Sequence, residues 1–129
     1  MRLQGACGRS KGTMPKNILV ADDDKAMIGL YSRLFSQTEH CVSQAMSFAD
    51  ASRLLREKDY DLLITDYMFP DGVGTELIRM FSGAGRGRSL MVTGSACAKS
   101  QLDCGCVYTY IEKPFKVHDF MDAVEKALA

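Results

Sequence analysis

With 129 residues, 16 Lys and Arg and 16 Asp and Glu, the chain is the size of one domain, able to close a core around one sheet and leaving no room for a second catalytic domain. The first 16 residues hold Arg2, Arg9, Lys11 and Lys16 and no acid, so the remainder carries 12 cations against 16 acids, a net −4 that argues against direct nucleic-acid binding by the folded part. Five cysteines, at 7, 41, 97, 104 and 106, cannot all pair, and no apolar run resembles a signal peptide or a membrane span, so a cytoplasmic protein with reduced thiols and no membrane contact is expected.

Residues 1–15 read as a flexible N-terminal extension: MRLQGACGRSKGT has three glycines, three cations and few large apolar side chains, and Met14-Pro15-Lys16-Asn17 looks like a fresh beginning. Ile18 to Ala21 form a first strand that ends in three acids, Asp22, Asp23 and Asp24. A helix follows to about Ser36, with Met27, Leu30, Tyr31 and Leu34 on one face and Asp24 as its N-cap. Cys41 to Ala45 is a mixed strand suited to a sheet edge, and Ser47-Phe-Ala-Asp50 is a capping box that opens a helix with Phe48, Ala51, Leu54 and Leu55 inward.

The stretch Tyr60 to Gly74, YDLLITDYMFPDGVG, organises the rest. Leu62 to Thr65 is a short apolar run of the kind a buried parallel strand shows, and it stops at one carboxylate, Asp66. Pro70, Asp71, Gly72 and Gly74 mark an irregular loop, and Thr75 to Phe81 a short helix. Ser82 to Arg88, SGAGRGR, reads as loop. Leu90 to Val92 form a fourth strand ending at Thr93, residues 96–103 have weak helical character, and Cys106 to Ile111 form a fifth strand ending at Lys113-Pro114. The last helix places Val117, Phe120, Met121, Val124 and Leu128 on one face.

Five strands alternating with five helices predict a doubly wound α/β fold, a five-stranded parallel sheet covered on both faces. Ligands in such sheets bind beyond the carboxyl ends of the strands, and here those ends deliver Asp22, Asp23, Asp66, Thr93 and Lys113. Carboxylates meeting there repel by about 4 kcal/mol per pair at ~4 Å and an effective dielectric near ~20. Lys113 offsets one charge, and oxygen ligands with space for water suit Mg²⁺. A divalent ion beside a carboxylate, a lysine and a threonine hydroxyl makes a phosphoryl-transfer site in which Asp66 can attack phosphorus.

These residues resemble the receiver domain of two-component response regulators. ILVADDDKAM is similar to its acidic first strand end, DLLITDYMFPDGVGTEL to its phosphoacceptor strand and loop, LMVTGSA to its threonine and YIEKPF to its lysine-proline, over about residues 16–129. The resemblance implies a flavodoxin-like strand order 2-1-3-4-5 and a signalling domain whose only catalysis is its own Mg²⁺-dependent phosphorylation and dephosphorylation. It implies Asp66 as the phosphoacceptor, Asp22, Asp23, Asp66 and the Met68 backbone carbonyl as Mg²⁺ ligands, Thr93 and Lys113 as phosphoryl contacts, and Thr93 with Tyr110 as the switch. Its partners would be a sensor histidine kinase or phosphotransfer protein upstream and a protein target or output domain downstream. Phe69 stands where methionine is usual and Gly94 where alanine is commoner, while Met68 and Ser95 occupy positions that tune phosphoryl lifetime in the family. The segment CAKSQLDCGC is short and lacks an apolar stripe.

Two other readings compete. Asp22-Asp23-Asp24 offers the D-x-D of haloacid dehalogenase-like phosphatases, but Ala26 replaces the required threonine or valine and no second acid pair follows strand four. Cys104-Gly-Cys106 could begin a metal site, yet a closed zinc centre needs about four ligands and His40 and His118 lie far away in sequence.

Overall fold

A computed structural model describes residues 15–83, 87–94, 107 and 109–129. Its elements in order are β1 (Asn17–Ala21), α1 (Lys25–Phe35), β2 (Cys41–Ala45), α2 (Phe48–Glu57), β3 (Leu62–Thr65), β4 (Met68–Phe69), β5 (Gly72–Val73), α3 (Gly74–Gly83), β6 (Arg88–Thr93), β7 (Thr109–Glu112) and α4 (Val117–Leu128). Five strands form one parallel sheet ordered β2-β1-β3-β6-β7, with the mixed strand β2 at an edge. Counting the sheet strands alone, this is the 2-1-3-4-5 order of the flavodoxin-like fold.

Alternate strand residues face opposite sides and build two cores. Ile18, Val20, Leu62, Ile64, Leu90 and Val92 pack with Ile28, Tyr31 and Phe35 of α1 and Phe120 and Val124 of α4. Leu19, Ala21, Leu63 and Met91 pack with Ala51 of α2 and Leu77, Ile78 and Phe81 of α3. All four residues of β3 are buried, which explains why its sequence is a continuous run rather than an alternation. Register brings the ends of β1 and β3 level, Ala21 with Thr65, and the ends of β6 and β7 level, Thr93 with Glu112, two residues further on because Thr65 pairs with Met91.

Several local details differ from expectation. In α1 the fully buried stripe is Ile28, Tyr31 and Phe35, with Met27 and Leu34 of the expected face only partly buried beside it against the same core, because two overlapping apolar stripes share Tyr31 and the helix rotation favours one of them. In α4 Phe120 and Val124 are buried as expected and Met121 and Leu128 pack partly buried against the same core, but Ala127 joins them and Val117, on the first turn, is 46% exposed. Ser82 and Gly83 extend α3 and Arg88 opens β6, so the loop there is shorter than SGAGRGR suggests. Arg88 belongs to the fold because its Nη1 donates to the Lys126 carbonyl at 3.0 Å, satisfying a helix C-terminus. The loop after Asp66 contains a small antiparallel hairpin, β4 with β5. The fifth sheet strand is described from Thr109 to Glu112. The expected helix at 96–103, the Cys104-Cys106 pair, Ser95 and residues 1–14 lie outside the described residues, within which there are four helices.

Candidate functional site

The sheet ladder itself presents the acids. Asp22 leaves β1 with its N–H donating to the Ala45 carbonyl at 3.0 Å, and Asp66 leaves β3 with its N–H donating to the Ala21 carbonyl at 3.0 Å. Lys113 leaves β7 with its N–H donating to the Thr93 carbonyl at 2.9 Å. Backbone pairing at the ends of β1, β3 and β7 therefore aims one aspartate, a second aspartate and a lysine into one crevice.

Side chains complete the arrangement. Lys113 Nζ donates to Asp22 Oδ2 at 3.0 Å and to Asp66 Oδ2 at 3.4 Å. Asp22 Oδ1 accepts the Asp24 N–H at 2.9 Å, and Asp66 Oδ1 accepts the Tyr67 N–H at 2.7 Å. Asp22, Asp23 and Asp66 each place a carboxylate oxygen within 4.8 Å of the others. Asp22 is fully buried, Asp66 is 17% exposed, and Asp23 lies at the open side. Close approach is possible because residue 74 is glycine: a Cβ there would collide with the Asp66 carbonyl oxygen.

Three carboxylates against one ammonium leave two uncompensated negative charges in a partly desolvated place. Burial raises the Asp22 carboxyl above its ordinary range despite the opposing Asp24 N–H and Lys113. Burial is also the largest influence on Lys113 and lowers it, but Asp22 and Asp66 together outweigh that and raise it, so the lysine is held as a cation. The donor set fits Mg²⁺: hard oxygens, a charge deficit equal to one divalent ion, and an open side for water.

Asp24 is not part of this set. It is the N-cap of α1, its Oδ1 accepting the Ala26 N–H at 2.9 Å, as its place in the sequence predicts. A D-x-D phosphatase needs that acid at the reacting group, so the structure gives the alternative no support. Thr93 is 5% exposed at the end of β6, and Tyr110 is half-buried on β7 beside Met91, against the α2–α3 core. Met68 lies in β4 with an exposed side chain. Asp71 has a role that its place in a turn conceals: its carboxylate accepts the Phe48 N–H at 2.9 Å and the Ala49 N–H at 3.0 Å at the start of α2. The only sequence signal is an acid in a Pro-Asp-Gly turn with a second helix start upstream.

A family model of the response regulator receiver domain matches residues 18–125. The chain belongs to the response regulator receiver family. The receiver is 28% identical over 116 residues to the response regulator receiver protein CpdR of Brucella abortus, covering 88% of this chain and 97% of that protein. It is 29% identical over 112 residues to the response regulator MprA of a Mycobacterium species, covering 84% of this chain but only 48% of that protein. In structure it resembles the non-phosphorylated HemR receiver domain from Leptospira biflexa with a TM-score of 0.79 and 26% identity, over 88% of this chain and 94% of that one. The receiver is thus a signalling domain of two-component systems. Among its described residues no helix is long and apolar enough to cross a membrane.

Proposed function

We propose that the receiver unit, residues 16–129, accepts a phosphoryl group on Asp66 from a sensor histidine kinase or phosphotransfer protein in the cytoplasm and passes the signal to a protein target or output domain. The observation that carries this reading is the contact of Lys113 Nζ with both Asp22 and Asp66 beside a three-carboxylate cluster at the sheet's carboxyl edge. A depression of about 550 Å³ near Lys16, His40 and Glu125 lies at the opposite edge and has no such cluster of three carboxylates around a lysine.

Asp22, Asp23 and Asp66, with the Met68 backbone carbonyl, would hold Mg²⁺. When bound, Mg²⁺ neutralises charge on the phosphoryl oxygens and on the acids. A carboxylate oxygen of Asp66 forms the new O–P bond while the donor's P–N bond breaks and its imidazole keeps the electron pair. Lys113, held cationic by the acids, stays with the phosphoryl group as charge builds on it, and the Thr93 hydroxyl donates to a phosphoryl oxygen. Thr93 and Tyr110 then carry the change outward.

Intact-mass measurement after incubation with acetyl phosphate and Mg²⁺ should show one added phosphoryl group, lost in Asp66→Asn and after chelation of the metal. An Asp66→Asn protein phosphorylated at the wild-type rate would refute the assignment.

A further inference from the structure

The segment from Asp66 to Gly74 carries the proposed Met68 ligand, and three anchors set its course. At its start, Asp66 is tied to β1 through the Ala21 carbonyl, and its own carbonyl accepts the Thr65 Oγ1 hydroxyl at 2.9 Å. At its end, the Gly74 N–H donates to the Tyr67 carbonyl at 2.6 Å. The third anchor comes from far away in sequence. Asp71, at the turn of the β4–β5 hairpin, lays its carboxylate across the first turn of α2, Oδ1 on the Phe48 N–H and Oδ2 on the Ala49 N–H. Beside it Gly72 lies so close to the Phe48 ring that a Cβ would collide with it. Phe69, on the hairpin's other strand, is buried in the α2–α3 core, while Met68 next to it is exposed.

The geometry points to Asp71 as a positioning residue for the metal-binding loop: clamped to α2, it fixes the hairpin that presents the Met68 carbonyl. This rests on the proposed Mg²⁺ site and names a residue outside its ligands. A backbone carbonyl is neutral, so an ion attracts it less strongly than a carboxylate and its contribution depends on being held in place beforehand. Mg²⁺ is strict in this respect, accepting oxygens only in near-octahedral positions at about 2.0–2.1 Å. Asp71 itself is spent on the two α2 N–H groups, whose hydrogen bonds hold its carboxyl below the ordinary range. Nor is it needed merely to start the helix, because Ser47 already caps α2 by accepting the Asp50 N–H at 3.0 Å.

Mg²⁺ titration by calorimetry, on variants whose folding is verified by circular dichroism, separates positioning from charge and from helix stability. Asp71→Ala should bind Mg²⁺ about tenfold more weakly, the scale seen when an outer-shell partner of a ligand is removed. Asp71→Asn is neutral yet can still accept the Phe48 N–H, and should recover most of the affinity. Gly72→Ala leaves charge unchanged but pushes the hairpin off Phe48, and should weaken binding as Asp71→Ala does. Ser47→Ala removes the ordinary cap of the same helix and should leave Mg²⁺ affinity at the wild-type value. Unchanged affinity in Asp71→Ala, or equal losses in Asp71→Asn or Ser47→Ala, overturns the inference. A wild-type protein that binds no Mg²⁺ would instead overturn the proposed site itself and this inference with it.

Discussion

Three consecutive acids, Asp22, Asp23 and Asp24, have three different environments, and the sheet end decides which is which. Asp22 is fixed by the β1–β2 ladder and is buried against Lys113, Asp23 is exposed next to it, and Asp24 has turned away to begin α1. Only two of them can therefore serve an ion together with Asp66. Asp24→Ala should cost about 1 kcal/mol of stability in urea unfolding, the usual worth of an N-cap, because it strips the Ala26 N–H of its acceptor and removes a negative charge from the positive end of the helix dipole. The Asp24 N–H that supports Asp22 is a backbone group and survives the substitution, so Mg²⁺ affinity should stay close to wild type. A tenfold loss of affinity in this variant would mean that Asp24, not Asp23, faces the ion.

At the scale of elements, the loop after β3 carries most of what the site demands of the backbone. Gly74 lets α3 begin directly against Asp66: the Gly74 N–H reaches the Tyr67 carbonyl, and the Asp66 carbonyl occupies the space a Cβ would need. The group it would strike is the Asp66 backbone carbonyl, so no rotamer change can relieve Gly74→Ala, and the substitution should cost about 1–3 kcal/mol, as overpacking does. Chemical denaturation measures that cost, and a stability within error of wild type would show that the loop yields freely. The strands and their terminal residues were legible in the sequence because apolar runs ended by Asp66, Thr93 and Lys113 leave one plausible boundary each. The helix caps at Asp24 and Ser47 were legible for the same local reason. Long-range contacts were not: the rotation of α1 depends on which of two apolar stripes fits the sheet, and the capping of α4 by Arg88 links residues 38 apart. The Asp71 clamp likewise spans 23 residues to Phe48, and an acid in a turn does not announce such a partner.

At the scale of the whole molecule, chemistry at the strand ends must reach a surface, and the β6–β7 pair offers the shortest path. Thr93 ends β6, its carbonyl accepts the Lys113 N–H at 2.9 Å, and the same two strands pair Met91 with Tyr110, so both proposed phosphoryl contacts and the proposed switch ring share one ladder. A phosphoryl group on Asp66 would add acceptor oxygens and should draw the Thr93 hydroxyl toward it, opening space at the end of β6. Tyr110 stands half-buried beside that space against the α2–α3 core, so its ring should turn further inward and alter the surface formed by β7 and α4. A packed ring has discrete positions, so the response is a shift between two populations whose extent depends on how much better one of them binds the phosphoryl group. Complete conversion, from about 1:99 to 99:1, needs a difference of about 5.5 kcal/mol, and a smaller difference gives a measurable mixture. Beryllofluoride with Mg²⁺ stands in for the phosphoryl group, and ring-labelled tyrosine NMR, assigned with Tyr110→Phe, reads the position of the ring. The Tyr110 resonance should move, or split into two, as beryllofluoride is added, and Thr93→Ala should suppress that response by removing the hydroxyl that links site and ring. A Tyr110 resonance unchanged at saturating beryllofluoride would remove the ring from the signalling path while leaving the acid site and its phosphorylation intact.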